Sequence, residues 1–264
     1  MPRIAGRPRF IAKSGVLVPA ATGLIFPSNG DSGGSGWFSF TGGNVLQLSP
    51  ATIIFRVNPR QQTGYYTTFF NGRGDGSFSG TYDYYGAHLY PQGTPGSSGT
   101  VHNWEISAIG SDWIVDDNGN STVGTKGVWY TQAVRVRDVG STSIVQFFYN
   151  LPDLTKVITK DLGGLLTPYS GTKAFTVGDA PWNPNAERLS GTFRGLQKYA
   201  AYLGDADMLA EAANDSIDSP QTSAGASSVW YMNQNPTPTD ISDKSGAGHN
   251  PAFIDASRPT LYTA

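Results

Sequence analysis

The chain has 264 residues with 18 basic and 20 acidic side chains, a net charge of -2 that argues against nucleic acid as a partner. Its 33 glycines, 17 prolines and 12% aromatic content are the profile of turn-rich β structure, and the length suits one large β domain. The absence of cysteine excludes disulfides and thiolate metal sites, so packing alone must hold the fold.

The opening "MPRIAGRPRFIAKSGVLVPAATGLIF" sets Arg3, Arg7, Arg9 and Lys13 before an apolar run broken by Gly15, Pro19 and Gly23. That is a poor signal-peptide core and too short to span a bilayer; residues 1–30 are expected as an extended arm, with no membrane partner. "ATIIFRVN", between prolines 50 and 59, reads as a core strand. "GYYTTFFNGRGDGSFSGTYDYYGAHLYP" reads as a hairpin around a glycine-rich turn at 71–80. The Arg73-Gly74-Asp75 triplet lies inside that turn, whose chemistry explains each residue without an integrin. From His102 to Asn150 three or four further strands follow, with "DDNGN" and "DVGS" as turns. Trp129, Thr131, Ala133, Arg135 and Arg137 alternate there with Tyr130, Gln132, Val134 and Val136, as in a strand with one wet face.

"KVITKDLGG", "KAFTVGD" and "GTFRGLQKYAAYL" add three strands, giving roughly ten short strands at the spacing of a sandwich or jelly roll. Good helix formers then run from Asp205 to Asn214 and predict one short helix. From Ser219 the chain carries Pro220, Pro236, Pro238, Pro251 and Pro259 and reads as an extended strap. The expected organisation is an N-terminal arm at 1–30, a sandwich at 31–218 and a C-terminal strap at 219–264.

"FTVG" at 175–178, "FRG" at 193–195 and "LGDADMLAE" at 203–211 resemble the end of a laminin-G-like module of the concanavalin A-like superfamily. The resemblance implies an all-β jelly-roll sandwich whose short helix, capped by Asp205 or Asp207, plugs one end through Ala206, Leu209 and Ala210. Two features depart from the pattern. After Phe193-x-Gly195 the alternation is out of step by one. "DISDKSGAGHNPAFI" at 240–254, which resembles the start of such a module, follows the helix here.

Chemistry is sparse. Glycoside hydrolases occur on this fold and need two flanking carboxylates, but Glu105, Glu187 and Glu211 form no Glu-x-Asp-x-x-Glu strand, so no enzyme is expected. His88, His102 and His249 lack zinc spacing. Asp112, Asp116, Asp117, Asn118 and Asn120 offer hard oxygens that could hold calcium, the one candidate ion, although a type I′ hairpin at Asn118-Gly119 accounts for the stretch as well. Trp182 between two prolines, with Asp179, Asn183 and Asn185, and Tyr82, Asp83, Tyr84 and Tyr85 form two candidate glycan surfaces; core or subunit contacts are the alternative. Trp230, Tyr231, Met232, Phe253 and Ile254 lie on a strap too proline-broken to bury them by itself, and Trp230, Tyr231 and Phe253 are expected as its anchors on this or a neighbouring subunit.

The reading is a non-catalytic surface subunit of a larger assembly, a tailed-phage virion protein by the resemblance, located on the virion surface or extracellularly. Its partners would be copies of itself, other virion subunits and a cell-surface glycan. A free lectin and a purely structural jelly-roll subunit remain open.

Overall fold

The computed structural model describes residues 22–26, 37–40, 49–59, 67–71, 85–91, 102–108, 111–113, 115–120, 122–125, 127–166, 175–179, 188–214, 229–231, 236–244, 246, 248–254 and 259–263. They form an all-β sandwich with one short helix, α1 (Asp205–Ala213). One sheet, sheet A, runs in the order β11 (Val157–Asp161), β10 (Thr142–Leu151), β9 (Tyr130–Val139), β3 (Ala51–Pro59), β13 (Gly191–Tyr199), β1 (Thr22–Phe26) and β16 (Thr260–Thr263), with β14 (Val229–Tyr231) also on β13. Sheet B runs β15 (Ala252–Phe253), β2 (Phe38–Phe40), β12 (Phe175–Val177), β4 (Thr67–Asn71), β5 (Tyr85–Pro91), β6 (His102–Ala108) and β7 (Ser111–Trp113), with β8 (Val123–Gly124) on β6. Every described pairing is antiparallel.

The described parts of both terminal segments are built into the sheets. Thr22–Phe26 lies between β13 and β16, while the strap supplies β14 and β16 to sheet A and β15 to sheet B. The strap thus completes its own sandwich. Phe253 meets Phe38 edge to face at 5.9 Å; the side chains of Trp230 and Tyr231 lie outside the described residues.

Aromatic rings fill the space between the sheets. Phe55, at the centre of β3, lies 5.2 Å from Phe70, 6.2 Å from Phe69 and 6.0 Å from Phe193, and all four are fully or almost fully buried. Consecutive residues of a regular strand face opposite sides, so Phe69 and Phe70 reach one core because a bulge shifts the β4–β5 register between Thr68 and Phe70. The expected 64–91 hairpin is the β4–β5 pair, and "DVGS" closes the β9–β10 hairpin with Gly140 at φ 63°.

A second bulge explains the missed step after Phe193-x-Gly195. Gly195 takes φ 64° and the β13–β3 register slips between Arg194 and Gln197. Leu196 then joins the core, Tyr199 joins a separate cluster, and Lys198 pairs with the core residue Ile53.

That separate cluster corrects the reading of the helix as an end plug. Ile54, Ala133, Phe148 and Tyr199 project from the outer face of sheet A and pack with Leu203 and Met208, so α1 covers a face. Met208 and Glu211 are the buried helix residues, while Ala206 and Ala210 are exposed. Nor do Asp205 or Asp207 cap the helix: Gly204 is the N-cap, without a side-chain bond, and the two aspartates sit in the first turn. Two arginines from the sheet hold the ends. Arg135 ion-pairs with Asp205 at 2.6 Å and donates to the Leu203 carbonyl at 3.1 Å. Arg56 Nη2 donates to the terminal carbonyls of Ala212 and Asn214 at 2.9 and 2.8 Å. Consequently the face expected to be wet is dry at Ala133 and Arg135 and reaches solvent at Arg137.

Two stability measurements test this packing. Phe55→Ala should lower the unfolding free energy by about 3–5 kcal/mol in denaturant titrations. Gly178→Ala should destabilise more than Gly127→Ala. Both glycines have positive φ, but a Cβ on Gly178 would meet the Phe26 ring at 2.6 Å, whereas Gly127 has open space.

Candidate functional site

One end of the sandwich gathers several polar features. The ends of β12 and β3, the starts of β6, β9 and β13, and the close of β10 meet there, as the 4.9 Å contact between Trp104 and Tyr130 shows. The chain between β7 and β9 forms its rim, and the Asp116 carboxylate organises that rim. Its Oδ1 accepts the backbone N–H of Asn118 at 3.0 Å and of Asn120 at 2.9 Å, and the Asn120 amide at 3.3 Å. These bonds, the Asn120 backbone N–H foremost, hold the Asp116 carboxyl below its ordinary value against the opposing effect of burial.

This geometry replaces the expected hairpin at Asn118-Gly119. Gly119 does take φ 77°, but β7 and β8 each pair with β6 and not with each other. Asp117 faces another way: its N–H donates to Val157 O at 3.1 Å and its Oδ1 accepts Thr159 N–H at 2.8 Å. The loop thereby covers the outer edge of β11. Of the calcium candidates, then, Asp116 and Asp117 serve different partners, Asn118 and Asn120 are exposed, and the Asp112 side chain lies outside the described residues. No cluster of three metal-ligating side chains occurs among the described residues.

The same rim fixes two tyrosines that sequence patterns did not single out. Tyr149 donates its hydroxyl to Asp116 Oδ2 at 3.3 Å, and Tyr130 Oη accepts Thr125 N–H at 2.9 Å. Between them opens a pocket of about 250 Å³ lined by Val123, Tyr130, Tyr149, Asn150 and Lys156. Behind the rings, Gln132 donates to the Tyr149 carbonyl at 2.9 Å. Gln132 Oε1 and Trp104 Nε1 are buried without a hydrogen-bond partner among the described residues. Burial, followed by the Asp116 charge, pushes the Tyr149 hydroxyl up to about 12, so it remains a protonated donor at neutral pH. A sequence signal for this pocket exists only in retrospect, in Tyr130 and Tyr149 near the ends of two facing strands.

The residues that flank the two glycan-candidate segments lie at opposite ends of the sandwich. Asp179 and Arg188, which bracket 180–187, lie at the pocket end, and Asp179 is buried. Asn71 and Tyr85, which bracket 72–84, lie at the opposite end. Trp182, Asn183, Asn185, Tyr82, Asp83, Tyr84 and the Arg73–Asp75 triplet are themselves outside the described residues.

Glu105 sits between the inward Trp104 and Ile106, hence on the outer face of sheet B, yet is only 1% exposed. Its register partner on β5 is His88. On β7, Asp112 pairs with Ser107, which makes it a diagonal neighbour of Glu105 at about 7–8 Å by position. The other described carboxylates serve local structure. Thr155 lowers Asp153, Thr142 lowers Asp161, and Lys244 lowers Asp240 to about 2. A general acid needs the opposite displacement.

No family model matches the chain, and no curated protein matches it. Among solved structures, it is similar to a candidate carbohydrate-binding protein from Bacteroides ovatus, at 11% identity and a TM-score of 0.53 over 93% of this chain and 60% of that one. It also aligns with a heptameric SAP-like pentraxin from Limulus polyphemus, at 14% identity and a TM-score of 0.42, over 74% of this chain and 82% of that one. A third alignment, to tailspike protein 2 of an Escherichia coli O157:H7 bacteriophage, has 14% identity and a TM-score of 0.36 and covers 74% of this chain and 28% of the tailspike. The Bacteroides likeness extends to the fold alone.

Ultraviolet titration of the phenols tests the electrostatics of the rim. One tyrosine should ionise near 12 in the native protein. In Asp116→Asn that value should fall part of the way towards the ordinary 10, because the charge is removed and the burial remains.

Proposed function

We propose that this chain is a non-catalytic carbohydrate-binding subunit displayed on a larger assembly. The observation that carries the reading is the Tyr130–Tyr149 pocket. The edges of Tyr130 and Tyr149, 8% and 5% exposed and held rigid by the rim, form a floor beneath the Asn150 amide and Lys156 ammonium, which suits a sugar held mainly by hydrogen bonds to its hydroxyls. At about 250 Å³ the pocket is smaller than ligand sites in general, which run from about 300 to 1,000 Å³, and has room for no more than a single terminal sugar. Asp153 beside Lys156 offsets its charge, which favours a neutral sugar.

Further support comes from the company the pocket keeps. The bracket of the Trp182 segment shares its end of the sandwich, and the carboxylates with displaced titration are all lowered. The fold likeness to a candidate carbohydrate-binding protein agrees with the reading by analogy. Display on a tailed-phage virion, with copies of itself and other virion subunits as partners, rests on the laminin-G-like resemblance and the extended termini. No described helix is long and apolar enough to cross a membrane, in keeping with a place on the virion surface or outside the cell.

A second reading has one observation in its favour. A second acidic residue, Asp112, occupies the register position diagonal to Glu105 on the neighbouring strand, and glycosidases act through a pair of carboxylates. Against it stands the near-complete burial of Glu105.

Glycan-array screening followed by calorimetry separates the two. We expect saturable binding of a neutral sugar without turnover, weakened about tenfold or more, equivalent to about 1.4 kcal/mol, by Asn150→Ala or Lys156→Ala. Unchanged affinity in both variants would move the site away from the pocket, and Trp182→Ala then tests the neighbouring segment. Sugar hydrolysis that disappears in Glu105→Gln would establish the glycosidase instead.

A further inference from the structure

Two buried polar atoms lie behind the pocket at the rim. Gln132 follows Tyr130 on the inward face of β9, about 7 Å further along the strand, and is fully buried between Tyr130 and Val134 of the main cluster. Its Nε2 donates to the Tyr149 carbonyl at 2.9 Å, which leaves Oε1 buried with no donor among the described residues. Trp104, fully buried on β6, has the complementary deficit, since its Nε1–H meets no acceptor among the described residues. A buried donor and a buried acceptor left unmet are both costly, and a hydroxyl, which donates and accepts, satisfies either.

Both atoms border the pocket lining. The indole edge that carries Nε1 lies against Gly124, where a Cβ would come within 3.0 Å of that nitrogen, and the preceding residue, Val123, lines the pocket. Tyr130 is the lining residue that touches the indole, edge to face at 4.9 Å. Gln132 borders the lining at a different point, through the main chain of Tyr149. The two tyrosines of the floor are tied unequally. Tyr149 is held at its hydroxyl by Asp116 and at its carbonyl by Gln132, whereas the Tyr130 hydroxyl is held by the Thr125 N–H at 2.9 Å.

We propose that the inner wall of the pocket is a hydroxyl-selective subsite, in which Trp104 Nε1–H donates to, and Gln132 Oε1 accepts from, hydroxyls of a neutral sugar that gain access when the Tyr130 ring turns aside. The assignment rests on the sugar-binding reading of the pocket and adds a source of specificity to it. A carboxylate takes up the indole N–H but brings no proton to the Gln132 oxygen. A hydrogen or methyl in place of the hydroxyl meets neither atom. Only a group with both capacities removes both deficits.

Calorimetry and NMR spectra of the full chain test the subsite, with the methyl glycosides of glucose, galactose and mannose and their monodeoxy derivatives as probes. For a glycoside that binds the unmodified chain, removal of the hydroxyl that meets Gln132 should weaken binding about tenfold, and in Gln132→Met that penalty should shrink to about twofold or less. Methionine keeps the unbranched shape, and loss of the Gln132 bond to Tyr149 weakens glycoside and deoxy derivative alike, so it cancels in the ratio. The Trp104 indole N–H resonance should shift at saturation. Binding in which no deoxy penalty changes in Gln132→Met, or in which the Trp104 resonance stays in place, overturns the subsite and leaves the pocket reading standing. If no glycoside binds the unmodified chain, the pocket reading falls and the subsite with it. Should Gln132→Met fail to fold, the Trp104 resonance of the unmodified chain still decides the matter.

Discussion

Everything in this sandwich is placed relative to one contact, the insertion of Phe55 from sheet A against Phe69, Phe70 and Phe193. From Phe70 a line of rings continues through Phe175, Phe40 and Phe38 to Phe253; from Phe69 another reaches Trp104 and Tyr130. The first line ends at the strap and the second at the pocket. Buried aromatics supply large area and directional edge-to-face contacts, so a chain without disulfides can hold both the strap and the pocket rim on one core.

The outer face of sheet A follows a different logic. Its apolar residues Ile54, Ala133, Phe148 and Tyr199 would be costly to leave wet, and α1 covers them. Nine residues of helix are marginal alone, so the sheet holds both ends. Arg135 also stacks over Phe148 and Tyr202, at 4.8 and 4.6 Å, and accepts no loss of donors because Gln146 and Asp205 take them up. The helix is therefore an outer patch on a sheet.

Aspartates act as the brackets of this protein. Asp116 closes the rim turn, Asp117 ties the rim to β11, Asp138 accepts Ser49 and Ser143, and Asp161 holds the turn at Gly163. At Asp116 and Asp161 these bonds hold the carboxyl below its ordinary value. Asp116 also holds Tyr149, whose hydroxyl ends on the same rim as that of Tyr130, bound by the Thr125 N–H. Rigidity of that kind lowers the ordering cost of binding.

Local chemistry determined a good deal by itself. Proline-bounded apolar runs, the Gly140 turn and the helix formers after Asp205 specified strands, hairpins and one helix, because propensity and turn chemistry act over a few residues. Where those elements face depended on tertiary structure. The bulges at Phe69–Phe70 and Gly195 each move side chains across a sheet, and no alternation pattern records a register slip before the partner strand is known. The site was legible in fragments: Asp116 and Asp179 stood out by composition, but Tyr130, Tyr149, Asn150 and Lys156 become one pocket only when distant strands close an end of the sandwich. Lys198 carries the same lesson. In sequence it is an ordinary basic residue of a strand, and only its complete burial in the folded chain lowers its pKa to about 7.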